Sequence, residues 1–265
     1  MSTNSLYIRD EGNGRPLVLV HGWSCPGQFF EAQSLALKMH ARCIVPDLPG
    51  HGRTGSYSSL SIEASADALY EYLLAEDLSD IVLCGWSMGA LVAYSLIERH
   101  GPDRLSSVVA IDMTPKILND AAWSNGTLNG LDASQNAHVI EGIVADWSKL
   151  PGRIARRLFA AGLPIDPELV KRVATEIAHE DPRLLRQMWV SLTAQDFRPL
   201  LKSFPLPLHL ASGARSQLYG CGVRQWHEDN VPDVRLHQFK DAGHAPHLEQ
   251  TKAFNQFLLD VVLSD

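Results

Sequence analysis

Gly85-Trp86-Ser87-Met88-Gly89 stands between an apolar run, Ile81-Val82-Leu83-Cys84, and an amphipathic stretch from Ala90 to His100. The run suits a short buried strand, and the stretch after it carries the apolar spacing of a helix. A strand that passes directly into a helix through so tight a turn holds the turn residue in a strained conformation and projects its side chain above the sheet edge. Ser87 is that residue, which makes the pentapeptide a candidate nucleophile elbow. The flanking glycines let strand and helix approach where a Cβ would collide. Met88 supplies a backbone N–H at the first helical turn, where donors are unpaired and the helix dipole favours negative charge. The alternative is an ordinary Gly-rich turn with a solvated serine. The rest of the chain decides between them.

Upstream, Leu17-Val18-Leu19-Val20 reads as a buried parallel strand that ends in His21-Gly22-Trp23. Such a turn can aim the Trp23 N–H at a developing oxyanion, where a preorganised donor is worth roughly 2–4 kcal/mol of barrier. Downstream, Val234 to Phe239 reads as another strand, followed by Asp241-Ala242-Gly243-His244-Ala245-Pro246-His247. A histidine in a Gly-flanked loop after a late strand is where a general base would sit, so His244 is the candidate base.

Further runs at Cys43–Val45, Val108–Ile111 and Leu206–Leu210 complete a set of six predicted strands. Helical stripes lie between them, one through Ile62, Ala66, Leu69, Leu73 and Leu74 with Ser61 as N-cap, another through Phe254, Phe257, Leu258 and Val261. Strands alternating with helices imply right-handed crossovers, a parallel sheet and a site at the carboxyl ends of the strands. Ser87, Trp23, Asp112 and His244 all fall at such ends. From about Thr114 to Pro199 the rhythm breaks into helical stretches, Arg153–Ala161, Pro167–His179 and Pro182–Ala194, with no convincing strand. Residues 114–199 are therefore expected to form a helical cap inserted into a core made of 1–113 and 200–265. Trp123, Trp147, Leu158, Phe159, Leu163, Met188, Trp189 and Phe197 supply its apolar surface, and only a minority of them should line a pocket.

The elbow, the His21-Gly22 loop, Asp47-Leu48-Pro49-Gly50-His51-Gly52 and Gly243-His244 occur in an order that resembles the α/β-hydrolase family over nearly the whole chain. The resemblance implies an α/β fold: a mostly parallel central sheet flanked by helices, with a helical cap inserted after the sixth strand. Within the family, Gly85-Trp86-Ser87-Met88-Gly89 and Gly243-His244-Ala245-Pro246-His247-Leu248-Glu249 look most like small serine carboxylesterases, including the type that hydrolyses methyl esters of acyl groups on a carrier protein. Such enzymes usually carry their acid after the strand that follows the cap. Here the corresponding stretch is Gly213-Ala214-Arg215-Ser216-Gln217-Leu218-Tyr219, with Ser216 where an aspartate is expected. Some members place the acid one strand earlier, and Val108–Ile111 ends in Asp112. Asp112 is thus the candidate acid, the alternative being a cap for a helix starting at Thr114-Pro115.

Composition narrows the function classes. The chain has 265 residues, 45% hydrophobic and 20% charged, as in a folded globular protein, and a net charge of −7 that argues against a nucleic-acid-binding face. No segment approaches the roughly 18 apolar residues of a membrane span, and the first residues lack a basic n-region and an apolar h-region, so cytoplasmic residence is expected. Cys25, Cys43, Cys84 and Cys221 are too scattered for a disulfide framework. Gly50-His51-Gly52-Arg53-Thr54-Gly55 fits a dinucleotide fingerprint formally but no helix starts inside it, and no H-E-x-x-H occurs among the eleven histidines. No cofactor and no metal is expected.

The resulting expectation is two-step acyl transfer to water: Ser87 as nucleophile, His244 as base, Asp112 as acid, and the Trp23 and Met88 N–H groups as oxyanion hole. The substrate would be an ester with an apolar acyl part. Arg153, Arg156 and Arg157, spaced to share one helical face, would receive an acidic acyl carrier protein or else form an ordinary solvated face. A carbon–carbon bond hydrolase and an acyl thioesterase could use the same groups. A non-catalytic ligand receptor on the same fold is the alternative of another class.

Overall fold

The computed structural model describes residues 5–264, so positions 1–4 and 265 of the expected core lie outside the described residues. Its strands are β1 (Tyr7–Glu11), β2 (Arg15–Val20), β3 (Ala41–Asp47), β4 (Ile81–Trp86), β5 (Leu105–Ile111), β6 (Leu208–Gly213) and β7 (Val234–Phe239). They form one sheet in the order β1-β3-β2-β4-β5-β6-β7, with β1 antiparallel to β3 and the other pairings parallel. The helices α1 (Glu31–Leu37), α2 (Ile62–Ala75) and α3 (Met88–His100) connect the first strands. Five more lie between β5 and β6: α4 (Ala133–Ala145), α5 (Leu150–Leu158), α6 (Pro167–Ala178), α7 (Pro182–Thr193) and α8 (Arg198–Leu201). The chain ends through α9 (Cys221–Asn230), α10 (Pro246–Glu249) and α11 (Thr251–Ser264).

Continuous apolar runs make the central strands because both faces of this sheet are covered. Along β2, Leu17 and Leu19 join Leu37, Phe254 and Leu258 on one face, while Val18 and Val20 join Leu69, Leu73 and Leu91 on the other. That two-residue alternation splits one run between two cores, and each fully buried side chain of this size contributes roughly 1.5–3 kcal/mol. β1, by contrast, is a strand that the apolar pattern does not disclose. Tyr7-Ile8-Arg9-Asp10-Glu11 lies at the sheet edge and carries the charges that edges tolerate, with Asp10 ion-paired to Arg42 at 2.6 Å.

Sheet order fixes where a site can form. From β2 the chain steps outward to β3, then returns to β4 on the opposite side and continues outward to β7, so the order reverses between β2 and β4. A crevice opens at the carboxyl ends of strands at such a switch point. Trp23 follows β2 and Ser87 follows β4, which puts both at that crevice.

Among the described residues the helical insertion follows the fifth strand in chain order, where the resemblance implies the sixth. The described sheet has seven strands with β1 as its one antiparallel member, and β5 is fifth in chain order. Aspartates start three of its helices: Asp132 forms a capping box with Gln135, and Asp166 and Asp181 accept from Glu168 and Arg183 N–H ahead of Pro167 and Pro182. The insertion is tied to the body by α7, whose Ser191 hydroxyl accepts the Ile62 N–H at the start of α2 at 2.9 Å. No helix among the described residues is long and apolar enough to cross a membrane.

Candidate active site

Ser87 sits at φ 53° and ψ −117°, a conformation that a non-glycine residue adopts only when its surroundings enforce it. The enforcement is visible on both sides. A Cβ on Gly85 would lie 2.3 Å from the Gly89 carbonyl, and one on Gly89 would lie 2.2 Å from the Val20 oxygen. The Ser87 N–H donates to Ile111 O at 3.0 Å, which pins the turn to the end of β5. A Cβ on Gly22 would come within 3.3 Å of the Ser87 Cβ, so the loop after β2 lies directly against the serine. Neither the Trp23 N–H nor the Met88 N–H is taken by a backbone acceptor among the described residues. The amides that follow Gly22 and Ser87 in the chain are thus both left without a backbone partner.

The shape of that loop depends on two histidines that the sequence did not mark as braces. His21 accepts the Leu48 N–H through Nε2 at 2.9 Å and donates from Nδ1 to Gly22 O at 2.9 Å. His51 accepts the Ser24 N–H at 3.1 Å and donates to Pro49 O at 3.1 Å. Burial lowers their pKa values to about 4 and about 3, so both stay neutral and can each accept one bond and donate the other.

Asp112 and His244 meet at the ends of β5 and in the loop after β7. His244 Nδ1 donates to Asp112 Oδ2 at 2.7 Å, with the two side chains only 2% and 3% exposed. No helix begins at Thr114; the first helix after β5 starts at Ala133, which leaves Asp112 without the capping role weighed as its alternative. Its backbone lies at φ 43°, and its N–H donates to Ala211 O at 2.9 Å. The carboxylate also accepts the Gly213 N–H at 3.3 Å and the Ser216 hydroxyl at 2.7 Å. Ser216, standing where the acid was expected, therefore binds the acid that stands one strand away.

The histidine loop has its own supports. Trp86, buried beside Ser87 in the elbow, donates its indole N–H to His244 O at 2.8 Å. Glu249 accepts from Gly243 N–H and Ala160 N–H, both at 2.6 Å, and so joins the loop to the end of α5. His247 is fully buried, its ring 4.9 Å from that of Phe30, and desolvation lowers its pKa to about 3. It is a neutral packing group.

Ser87 and His244 open onto one cavity of about 170 Å³, roofed by Ile154 and Leu158 of α5 and Trp189 of α7, with Trp23 at its wall. Of the eight apolar residues expected to cover the insertion, Leu158 and Trp189 line it; Met188 and Phe197 pack into the main core. Arg157 reaches the rim, and Arg153, Arg156 and Arg157 are all exposed. Cys25, Cys43 and Cys84 are buried free thiols, and Cys221 is exposed. Such an enclosure, with an aligned histidine and carboxylate and two unpaired amides, can accept an apolar acyl group and activate a hydroxyl.

The model of the alpha/beta hydrolase family matches residues 17–257. A protein of Aromatoleum aromaticum named pimeloyl-[acyl-carrier protein] methyl ester esterase is 31% identical over 261 residues, spanning 94% of this chain and 99% of its own length. One of the same name from Chromobacterium violaceum is 27% identical over 97% of each chain. Among solved structures, the esterase EaEST of Exiguobacterium antarcticum superposes with a TM-score of 0.89 at 22% identity, over 97% of this chain and 95% of its own.

Proposed function

Because this chain belongs to the alpha/beta hydrolase family, we propose that it is a serine carboxylesterase in which Ser87, His244 and Asp112 form the acyl-transfer apparatus. The observation that carries the reading is the buried 2.7 Å Asp112–His244 bond beside a serine held at φ 53° in the same cavity. Ser87 Oγ attacks the ester carbonyl carbon as His244 Nε2 takes its proton. Charge develops on the carbonyl oxygen, where the Trp23 and Met88 N–H groups receive it. The imidazolium then protonates the departing alkoxide, leaving the acyl group on Ser87. Water, deprotonated by His244, releases the carboxylic acid and restores the serine. Asp112 holds the Nδ1–H tautomer and stabilises the imidazolium in both steps.

Helices α4 to α8, within 114–199, act as a cap over a core of 1–113 and 200–265, and the cap selects the acyl group. The substrate that the relatives' names support is a methyl ester of an acyl chain linked to acyl carrier protein. An acidic carrier would dock on Arg153, Arg156 and Arg157, which lie on α5 above the cavity and have no acidic side chain within ion-pair distance among the described residues. Working on such a carrier would place the protein in the cytoplasm.

A fluorophosphonate probe and a substrate panel test the reading in sequence. The probe is expected to label Ser87, and failure to label the folded protein would overturn the hydrolase assignment. The panel compares free methyl esters, thioesters and carrier-linked methyl esters. Carrier-linked methyl esters are expected to give the highest kcat/KM, and Arg153→Glu with Arg156→Glu to lower that value about tenfold while sparing free esters. Equal losses on both substrates would remove carrier docking.

A further inference from the structure

We propose that Ser216 is a positioning residue for catalysis: its hydroxyl holds the Asp112 carboxylate in register with His244 and sets the basicity of that carboxylate. The proposal rests on the assignment of Asp112 and His244 above.

The hydroxyl has little freedom. Ser216 Oγ accepts the Leu218 N–H at 3.2 Å and the Tyr219 N–H at 3.3 Å, which occupies its lone pairs. Its proton is left to point at Asp112 Oδ2, 2.7 Å away, the same oxygen that receives the His244 Nδ1–H at 2.7 Å. The other carboxylate oxygen takes only the longer 3.3 Å bond from Gly213 N–H. Asp112 also stands on a backbone at φ 43°, at the open end of β5, with the whole helical insertion following it. The Ser216 bond ties that end to the loop after β6, across 104 residues of chain.

Two consequences follow from a hydroxyl donating to this carboxylate. It fixes the plane of the acid, so the histidine is met by the correct oxygen at each turnover. It also withdraws charge from that oxygen, because a hydrogen bond to the charged form lowers its proton affinity. Without the donor the oxygen becomes more basic and stabilises the imidazolium more strongly, which raises the apparent pKa of the catalytic base. A raised base pKa moves the acid limb of the pH–kcat/KM profile upward, so loss is greater at pH 6 than at pH 8.5. Purely structural damage would lower kcat without moving that limb.

The other ionisable groups facing the pair are Tyr219, whose ring lies 5.6 Å from that of His244, His247 and Glu249 in the histidine loop, and Arg157 at the cavity rim. Their side chains are kept in every variant, and burial raises the pKa of the Tyr219 hydroxyl, so loss of the Ser216 acceptor for the Tyr219 N–H brings no new charge to the pair.

The experiment measures kcat, KM and the pH–kcat/KM profile on a p-nitrophenyl ester for wild type, Ser216→Ala, Ser216→Cys and Ser216→Thr. Ser216→Ala is expected to lower kcat about tenfold at neutral pH, leave KM unchanged and raise the apparent base pKa by about one unit. Ser216→Cys keeps the volume with only a weak donor and should move the limb in the same direction, which serves if the alanine variant does not fold. Ser216→Thr retains the hydroxyl and should restore both quantities. An unmoved acid limb in the alanine or cysteine variant would overturn the positioning role. Absence of ester hydrolysis and of fluorophosphonate labelling in the wild type would instead overturn the functional assignment on which it rests.

Discussion

Beneath the cavity, the polar groups around Ser87, His244 and Asp112 are fixed one by one. His21, His51, Trp86, Ser216 and Glu249 each hold a particular backbone or carboxylate atom by a hydrogen bond of 2.6–3.1 Å. Above it, α5 and α7 present Ile154, Leu158 and Trp189, which meet the cavity through apolar surface with no directional demand. The floor comes from the carboxyl ends of six parallel strands, β2 to β7, and the loops that follow them, and the roof from one insertion between β5 and β6. Directional bonds specify geometry, which chemistry needs; apolar contact specifies volume, which can change without disturbing the floor. One scaffold can therefore keep its reaction while altering its substrate.

The largest expected effect breaks the floor. Ser87→Ala and His244→Ala should each reduce kcat by on the order of 10⁴–10⁶-fold, and the double variant should lose no more than the worse of the two, because the pair acts as one unit. Steady-state kinetics on a chromogenic ester read the outcome. Losses that multiply, or an active Ser87→Ala enzyme, would mean that the floor is not the reacting centre.

Much of the floor was legible in the sequence, and the reason lies in burial. β2, β4 and β5 are covered on both faces, so they appear as continuous apolar runs whose ends locate Trp23, Ser87 and Asp112. The braces were not legible. His21 finds Leu48 and His51 finds Ser24 across 27 residues, and Ser216 finds Asp112 across 104, separations at which no local pattern records a contact. The strand β1 escaped because an edge strand is charged, and α4 because only Asn136 and Ile143 of its residues are fully buried. Asp112 was open to two readings until the chain after it proved to lack a helix start.

An intermediate effect is expected at the seam between floor and roof. Glu180, between α6 and α7, is 9% exposed and accepts the Gly52 N–H at 3.0 Å. Burial, with smaller additions from Asp47 and Glu176, raises its pKa to about 7. A carboxyl whose folded pKa is raised contributes stability fully present below its unfolded value, near 4.5, and lost as pH rises through about 7. Glu180→Gln keeps an acceptor for Gly52 and removes the titration. It should therefore stabilise the protein at pH 8 by about 1–3 kcal/mol, several degrees in Tm, with the difference vanishing below about pH 4.5. Thermal melts across that range decide it. Equal melting temperatures of the two proteins at pH 8 would show that the seam is better solvated than its burial implies.

The smallest effect belongs to the roof and sharpens the contrast most. Ile154 is a half-buried residue of α5 that lines the same cavity as Ser87. Truncating it to alanine removes apolar contact with a bound acyl group, and each lost methylene contact is worth up to about 0.8 kcal/mol. Ile154→Ala is then expected to raise KM for short acyl esters about three- to tenfold, to spare kcat, and to recover affinity as the acyl chain lengthens into the vacated space. The interaction lost is one made equally in ground and transition states, which is why kcat stays. A fall in kcat at constant KM would show that the roof takes part in aligning the reacting groups, and the separation between a directional floor and an adaptable roof would fail at α5.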